Sequence, residues 1–305
     1  MLLINVCGAS FSGTTMLDLM LGNAPDAASC GEVGAWYRPK RRDRVALSCP
    51  CGSDPCPRWG RFAGVPEDRF HREAFGRWGV RTVVDSTKAL AWVLDANRWA
   101  ADSGLRVVNV LIYKDPVTHA FSHWKRGTSL ADARRRFDRY HSRFLGLNLP
   151  FLSVNYDRFV QSPADQLAAV CRAAGVPYFA GKERFWTWPH HNLFGNDGTR
   201  GQVGRAEGTI RPPGPFPPEF LRDLAGSDAR RGPGARSRRL VEALELFDVA
   251  AASVPAVVRP GPVGRPGYWY YEEKLKRISR ALLGRLRPAR PAGPEAAGPI
   301  GVASA

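Results

Sequence analysis

The stretch that decides the fold is Leu2-Leu3-Ile4-Asn5-Val6-Cys7 running into Gly8-Ala9-Ser10-Phe11-Ser12-Gly13-Thr14-Thr15. The first six residues are short and apolar, which reads as a buried strand. Beyond the loop, residues 14–22 carry Met16, Leu17, Leu19, Met20 and Leu21, which reads as a buried helix ending at Gly22. A glycine loop between strand and helix is the setting of a phosphate site. Backbone N–H groups and the positive end of the helix dipole point at the anion. Gly13 allows close backbone approach, and Thr14 and Thr15 add hydroxyl donors. The plainer alternative is an ordinary turn with a Ser/Thr helix cap.

The loop departs from G-x-x-x-x-G-K-[ST] at one position. Gly8, Gly13 and Thr15 fit, and Thr14 stands where the lysine would be. In ATP and GTP enzymes that lysine reaches the β- and γ-phosphates. Its absence argues against a kinase and suits a ligand whose 5′ end is one phosphate carrying a sulfuryl group.

Outward from the loop, strands and helices alternate. Residues 81–85, 106–113 and 151–155 read as strands. Residues 88–101, a segment opened by Pro116, 130–145 and 163–174 read as helices, the last stopped by Gly175. This alternation predicts an α/β fold with a mostly parallel central sheet flanked by helices. Residues 195–234, rich in Gly, Pro and Arg, read as a lid-like loop, and 236–249 returns to helical spacing. We expect one domain over 1–254, with a cysteine-rich loop at 45–60. A Pro/Gly-rich extension over 255–305 would hold a basic amphipathic helix at 270–286 and a disordered tail.

Ser12-Gly13-Thr14-Thr15 followed by Leu17 resembles the 5′-phosphosulfate loop of sulfotransferases that use 3′-phosphoadenosine 5′-phosphosulfate (PAPS). The resemblance runs through residues 1–205 and is nearest to bacterial carbohydrate and small-molecule enzymes, with some likeness to protein-tyrosine sulfotransferases. It implies a P-loop NTPase-like sulfotransferase fold, PAPS as donor and a hydroxyl-bearing acceptor. Many members carry Arg or Lys where this chain has Phe11, so another cation must help the leaving phosphate. Lys88, in Asp85-Ser86-Thr87-Lys88, resembles a recurrent D-S-[ST]-K segment and is the expected one; a surface lysine at a helix start is the alternative.

After the third strand, Lys114-Asp115-Pro116 places a cation at a strand's carboxyl end, where α/β sheets bind ligands. Ser122 lies eight residues on. The family has Arg-Asp-Pro and Ser at this separation, and the pair grips the 3′-phosphate. Lys114 would do so as a point charge in place of a bidentate fork. Tyr156, in Val154-Asn155-Tyr156-Asp157-Arg158-Phe159, resembles the tyrosine that lies near the adenine. His191-Asn192-Leu193-Phe194-Gly195-Asn196 with Arg200 and Gly201 resembles a late stretch that closes over the 3′-phosphate. Cys30-Gly31-Glu32 resembles the segment that supplies the base in protein-tyrosine and bacterial carbohydrate enzymes. Glu32 is therefore expected to take the acceptor's proton, the alternative being a carboxylate favoured at a helix start. The cytosolic branch uses a histidine, and His71, His119, His123 and His141 match no such position.

Lys and Arg number 44 against 28 Asp and Glu, a net charge of +16. Such a surface favours polyanionic ligands. A P-loop phosphotransferase and a basic nucleic-acid-binding protein are the competing readings, although no specific nucleic acid is expected. No apolar run reaches about 18 residues, which argues against a membrane span. With no charged leader the expected location is cytoplasmic. Cys49-Pro50-Cys51-Gly52-Ser53-Asp54-Pro55-Cys56, with Cys30 upstream, offers four thiolates for zinc, but C-x-C-x4-C is not a standard zinc spacing. A free-thiol loop is the expectation, with zinc or a disulfide as alternatives, and no metal is required for the chemistry. The basic run 38–44 would face an acidic acceptor or only water. The 270–286 stretch would lie on an anionic membrane or pack on the domain. The acceptor itself is illegible, because acceptor pockets are built from variable loops.

Overall fold

Strand β1 (Leu2–Cys7) is buried along its whole length, as its apolar run demands. It pairs in parallel with β3 (Thr82–Asp85) on one side and β4 (Arg106–Tyr113) on the other. β2 (Ala27–Ser29) extends the sheet beyond β3, and β5 (Leu152–Asn155) beyond β4. The order β2-β3-β1-β4-β5 is parallel throughout, as the alternation predicts. This computed structural model describes residues 1–38, 49–210, 212–231 and 234–249, all within one compact unit, Met1–Arg265.

The crossovers are helical: α1 (Thr14–Leu21), α2 (Gly34–Tyr37), α3 (Phe70–Trp78), α4 (Leu90–Asp102), α5 (Pro116–Trp124) and α6 (Leu130–Leu145). After β5 come α7 (Tyr156–Phe159), α8 (Pro163–Ala174), α9 (Asp197–Arg200), α10 (Pro218–Arg231) and α11 (Ala235–Glu245). Pro116 opens α5, where its missing N–H costs nothing, and Gly175 ends α8 at φ 69°. Successive strand residues face opposite sides. Ile4, Val6, Val110 and Ile112 join a core with Leu17 and Val170. Leu3 and Val83 join a second core with Phe70 and Trp92. In that second core Trp59, Phe62, Phe70 and Trp78 pack with ring centroids 5.0–6.0 Å apart. Each such pair adds about 1 kcal/mol beyond its buried area.

The structure departs from the sequence reading at three places. β2 went unread, because Ala-Ala-Ser is too short and too small for a periodic signal. Residues 195–234 are not one loop, since they contain α9 and α10. The apolar contribution of α10 is a short stripe: Phe220 is fully buried and Leu224 packs one turn on, against Phe121 and Trp124. The Trp124 indole N–H also donates to Asp223 (2.8 Å). The extension 255–305, with the 270–286 helix and the tail, lies outside the described residues. So do 39–48, which hold most of the basic run and part of the cysteine-rich loop. Arg38 is turned inward and bonded to Glu67 and Asp95 at 2.8 Å each, so it is not a merely solvated residue of the run. No helix among the described residues is long and apolar enough to cross a membrane.

Two buried polar knots tie the layers. Asn109 in β4 accepts from Asn5 in β1 and Asn97 in α4, at 2.9 Å each. Asp85, at the end of β3, accepts from His71 Nε2 (2.9 Å), Trp92 Nε1 (2.7 Å) and the Thr87 N–H (2.8 Å). Asp85→Asn keeps the shape but turns an amide donor toward at least one of these donors. Urea melts should show a loss of roughly 2–3 kcal/mol.

Candidate functional site

The loop of residues 8–13 leaves the central strand at the carboxyl edge of the sheet. Gly13 adopts φ 97°, a left-handed conformation that only glycine takes readily, and it caps α1 without a side-chain bond. The first-turn N–H groups of α1 therefore lack intrahelical partners and face the loop. A Cβ on Gly13 would lie 2.4 Å from Cδ2 of Tyr156, so that ring rests directly on the loop. The Ser12 side chain is buried, and its hydroxyl has no hydrogen-bond partner among the described residues. The Gly8 N–H donates to the Tyr140 hydroxyl (2.9 Å). Thr15 Oγ1 accepts from the Asn196 N–H (3.0 Å). The late segment is thus fastened to the loop.

One strand over, the Lys114 ammonium donates to Ser122 Oγ (3.0 Å) and sits 4.3 Å above the centre of the Tyr156 ring. Burial pushes its pKa down to about 8, with nearby Asp157 opposing the shift. Ser122 in turn donates to the Thr118 carbonyl (3.0 Å), one helical turn back. The spacing of eight residues therefore makes one polar pair, and Tyr156 links that pair to the glycine loop.

Phe11 also has a left-handed backbone, φ 69°. Its ring lies under the Arg126 guanidinium, 4.0 Å from the ring centre, and edge-on to His123 at 5.0 Å. Sequence reasoning missed Arg126. Position 126 lies just past the end of α5, and no local pattern couples it to position 11. His123, set aside on the same reasoning, borders the loop too. Burial and then the charge of Arg136 push its pKa down to about 4, so it is neutral near pH 7.

Glu32 follows Gly31, whose φ of 69° and close approach to Leu193 leave no room for a side chain: a Cβ would lie 2.0 Å from the Leu193 carbonyl oxygen. The Leu193 N–H donates to the Cys30 carbonyl (3.0 Å) and the Glu32 N–H to the Leu193 carbonyl (2.8 Å). The Lys88 ammonium donates to the Glu32 carboxylate, so the two expected catalytic side chains form one partly exposed ion pair. Burial pushes the Tyr140 hydroxyl up, the Gly8 N–H bond opposes this, and Cys7 and then Glu32 add to it. Arg200 is mostly buried, with Nη1 3.7 Å from Asp197, and Gly201 caps α9. Their helix follows directly on Asn196, which bonds Thr15.

The six cysteines form no disulfide. Cys49, Cys51 and Cys56 gather with His191, while Cys30 is not a member of that group.

No protein-family model matches the chain, and no curated protein matches it. Among solved structures, a sulfotransferase domain from the olefin synthase of Synechococcus PCC 7002 superposes with a TM-score of 0.51 at 16% identity, covering 80% of this chain and 94% of that one. A sulfotransferase domain from the curacin biosynthetic pathway gives 0.45 at 14% identity, covering 74% and 96%. Sulfotransferase STF1 from Mycobacterium tuberculosis H37Rv gives 0.38 at 14%, covering 60% and 69%. The likeness to the first is one of fold: a parallel α/β sheet of the P-loop-like kind found in sulfotransferases.

The Tyr156–Gly13 contact is directly testable. Gly13→Ala should cost on the order of 3 kcal/mol in denaturant melts, part from the left-handed backbone and part from the clash. Adding Tyr156→Ala should recover the clash component alone.

Proposed function

We propose that the protein is a sulfotransferase that moves the sulfuryl group of PAPS to the hydroxyl of a carbohydrate, natural product or similar acceptor. The observation that carries this reading is the meeting of the glycine loop and the Lys114–Ser122 pair at Tyr156, on one sheet edge, which we read as two anion stations. The hydroxyl-lined loop of Ser12, Gly13, Thr14 and Thr15 is one, Lys114 with Ser122 is the other, and Tyr156 spans them. The residues fit the donor's two phosphates. The unpartnered Ser12 hydroxyl and the unbonded start of α1 suit the 5′-phosphate. The buried ammonium of Lys114 suits the 3′-phosphate, and the Tyr156 ring offers a face for the adenine. The family resemblance would have Arg200 and Gly201 close over the 3′-phosphate; their helix follows Asn196, which is bonded to Thr15 of the glycine loop. The fold shared with a sulfotransferase domain adds to this.

In the proposed reaction Glu32 takes the proton of the acceptor hydroxyl. That oxygen bonds to sulfur as the bond from sulfur to the 5′-phosphate oxygen breaks. The loop N–H groups, Thr14 and Thr15 hold the charge left on the phosphate. Lys88 and Arg126 supply the cation that Phe11 does not. The transfer step uses no metal.

Thermal shift with adenosine 3′,5′-bisphosphate, ATP–magnesium and DNA in parallel tests the reading, because a ligand that binds the folded state raises the melting temperature. The bisphosphate should give the large shift. A shift with ATP–magnesium or DNA and none with the bisphosphate would sink the proposal. Glu32→Gln should keep bisphosphate binding and lose about 10²-fold or more in turnover. Lys88→Ala and Arg126→Ala should each lower turnover by about 10²-fold.

The sign of the pH dependence follows from Lys114. Its ammonium is charged below about pH 8 and neutral above. Bisphosphate affinity should therefore be level between about pH 7 and 8, above the phosphates' own titration near pH 6, and fall as pH rises through 8, by at most about tenfold per pH unit. Lys114→Arg, charged throughout, should flatten that fall in a calorimetric titration.

A further inference from the structure

We propose that Cys49, Cys51, Cys56 and His191 bind one zinc ion in a closed, structural site. The four ligand atoms all lie within 4.8 Å of one another. His191 Nδ1 is 3.4 Å from Cys56 Sγ and 3.7 Å from Cys49 Sγ. A tetrahedral zinc with bonds of about 2.3 Å to sulfur and 2.0 Å to nitrogen sets edges of about 3.5 Å between S and N and about 3.8 Å between two S atoms. These two nitrogen–sulfur separations bracket the first edge, and since no ligand pair exceeds 4.8 Å, none need close by more than about 1.3 Å.

The surroundings suit a metal rather than three loose thiols. The Gly52 N–H donates to the Cys49 carbonyl (3.1 Å), and left-handed Gly52 (φ 75°) closes a tight turn that brings Cys49 and Cys51 together. Cys49 and Cys56 are buried against the aromatic core, and the Trp59 indole N–H donates to the His191 carbonyl. The Cys56 carbonyl accepts from the Gly60 N–H (2.9 Å), which fixes the entry to the turn that carries Trp59. Zinc with three thiolates carries a net charge of −1. Arg58 lies close enough to His191, and Arg200 to Cys49, for their charges to act on the site. With four protein ligands there is no open position for water, which makes the role structural. His191 is 135 residues from Cys56 in sequence, so the spacing of the cysteines alone is no guide to the site.

The ion would fasten two segments with little regular structure of their own. Two residues after His191, Leu193 bridges Gly31 and accepts the Glu32 N–H; three residues further, Asn196 bonds Thr15. Zinc would thereby hold the strap that positions Glu32 and touches the glycine loop. The site stands whether or not the reaction proposed above is correct.

The test is metal content of the full chain, purified under reducing conditions from zinc-supplemented medium. Mass spectrometry should find one zinc per chain, and cobalt substitution should give the intense visible bands of a tetrahedral thiolate site. Cys56→Ser and His191→Ala should lose the metal, while Cys30→Ala should retain it. Should the variants fail to fold, the wild type still decides: chelation should release the zinc, expose three newly reactive thiols and lower the melting temperature. A folded, reduced wild type with no stoichiometric zinc overturns the proposal. So does metal that survives His191→Ala and is lost with Cys30→Ala.

Discussion

Strand β1 is hydrogen-bonded on both flanks by parallel neighbours, and the rest of the site follows from that constraint. Parallel strands end on the same edge, so every loop that follows one opens toward the same crevice. The register sharpens this. Tyr113 pairs with Asn155, so the next residues, Lys114 and Tyr156, leave adjacent strands side by side. That is why the ammonium of one lies over the ring of the other. Cys7 pairs with Leu111, two residues before the end of β4, so the glycine loop turns back beneath Tyr156. The approach of the glycine loop to the Lys114–Ser122 pair is set by backbone hydrogen bonds before any side chain is chosen.

On the other flank the organising group is Asp85. Its carboxylate collects donors from α3, from α4 and from the chain immediately after β3. The Thr87 hydroxyl then accepts the Gly34 N–H (2.9 Å), which braces the turn after Glu32. Lys88 and Glu32 thus meet because their backbones are stapled through Asp85 and Thr87. Their ion pair is partly exposed and by itself would contribute little to stability.

The parts of this structure legible in the sequence are those written locally. β1, β4 and the helix from Pro163 are runs of apolar residues bounded by Gly or Pro, and the loop residues 8–15 follow from their place between strand and helix. What stayed hidden was written across the fold. The stripe of α10, Phe220 and Leu224, was masked by flanking Gly, Pro and Arg, and only packing on Phe121 and Trp124 gives it a face. His191 joins the cysteines from the far end of the domain. The adjacency of Lys88 and Glu32 depends on a strand pairing that no spacing in the chain expresses.

Phe11 offers no charge, yet its left-handed backbone and flat ring make a shelf on which Arg126 lies. The cation beside the loop is then carried by the end of α5, not by the loop. A basic side chain placed at position 11 would meet Arg126 head-on and repel it. The choice of side chain at position 11 therefore bears on where Arg126 can lie, although the two residues are 115 apart in the chain.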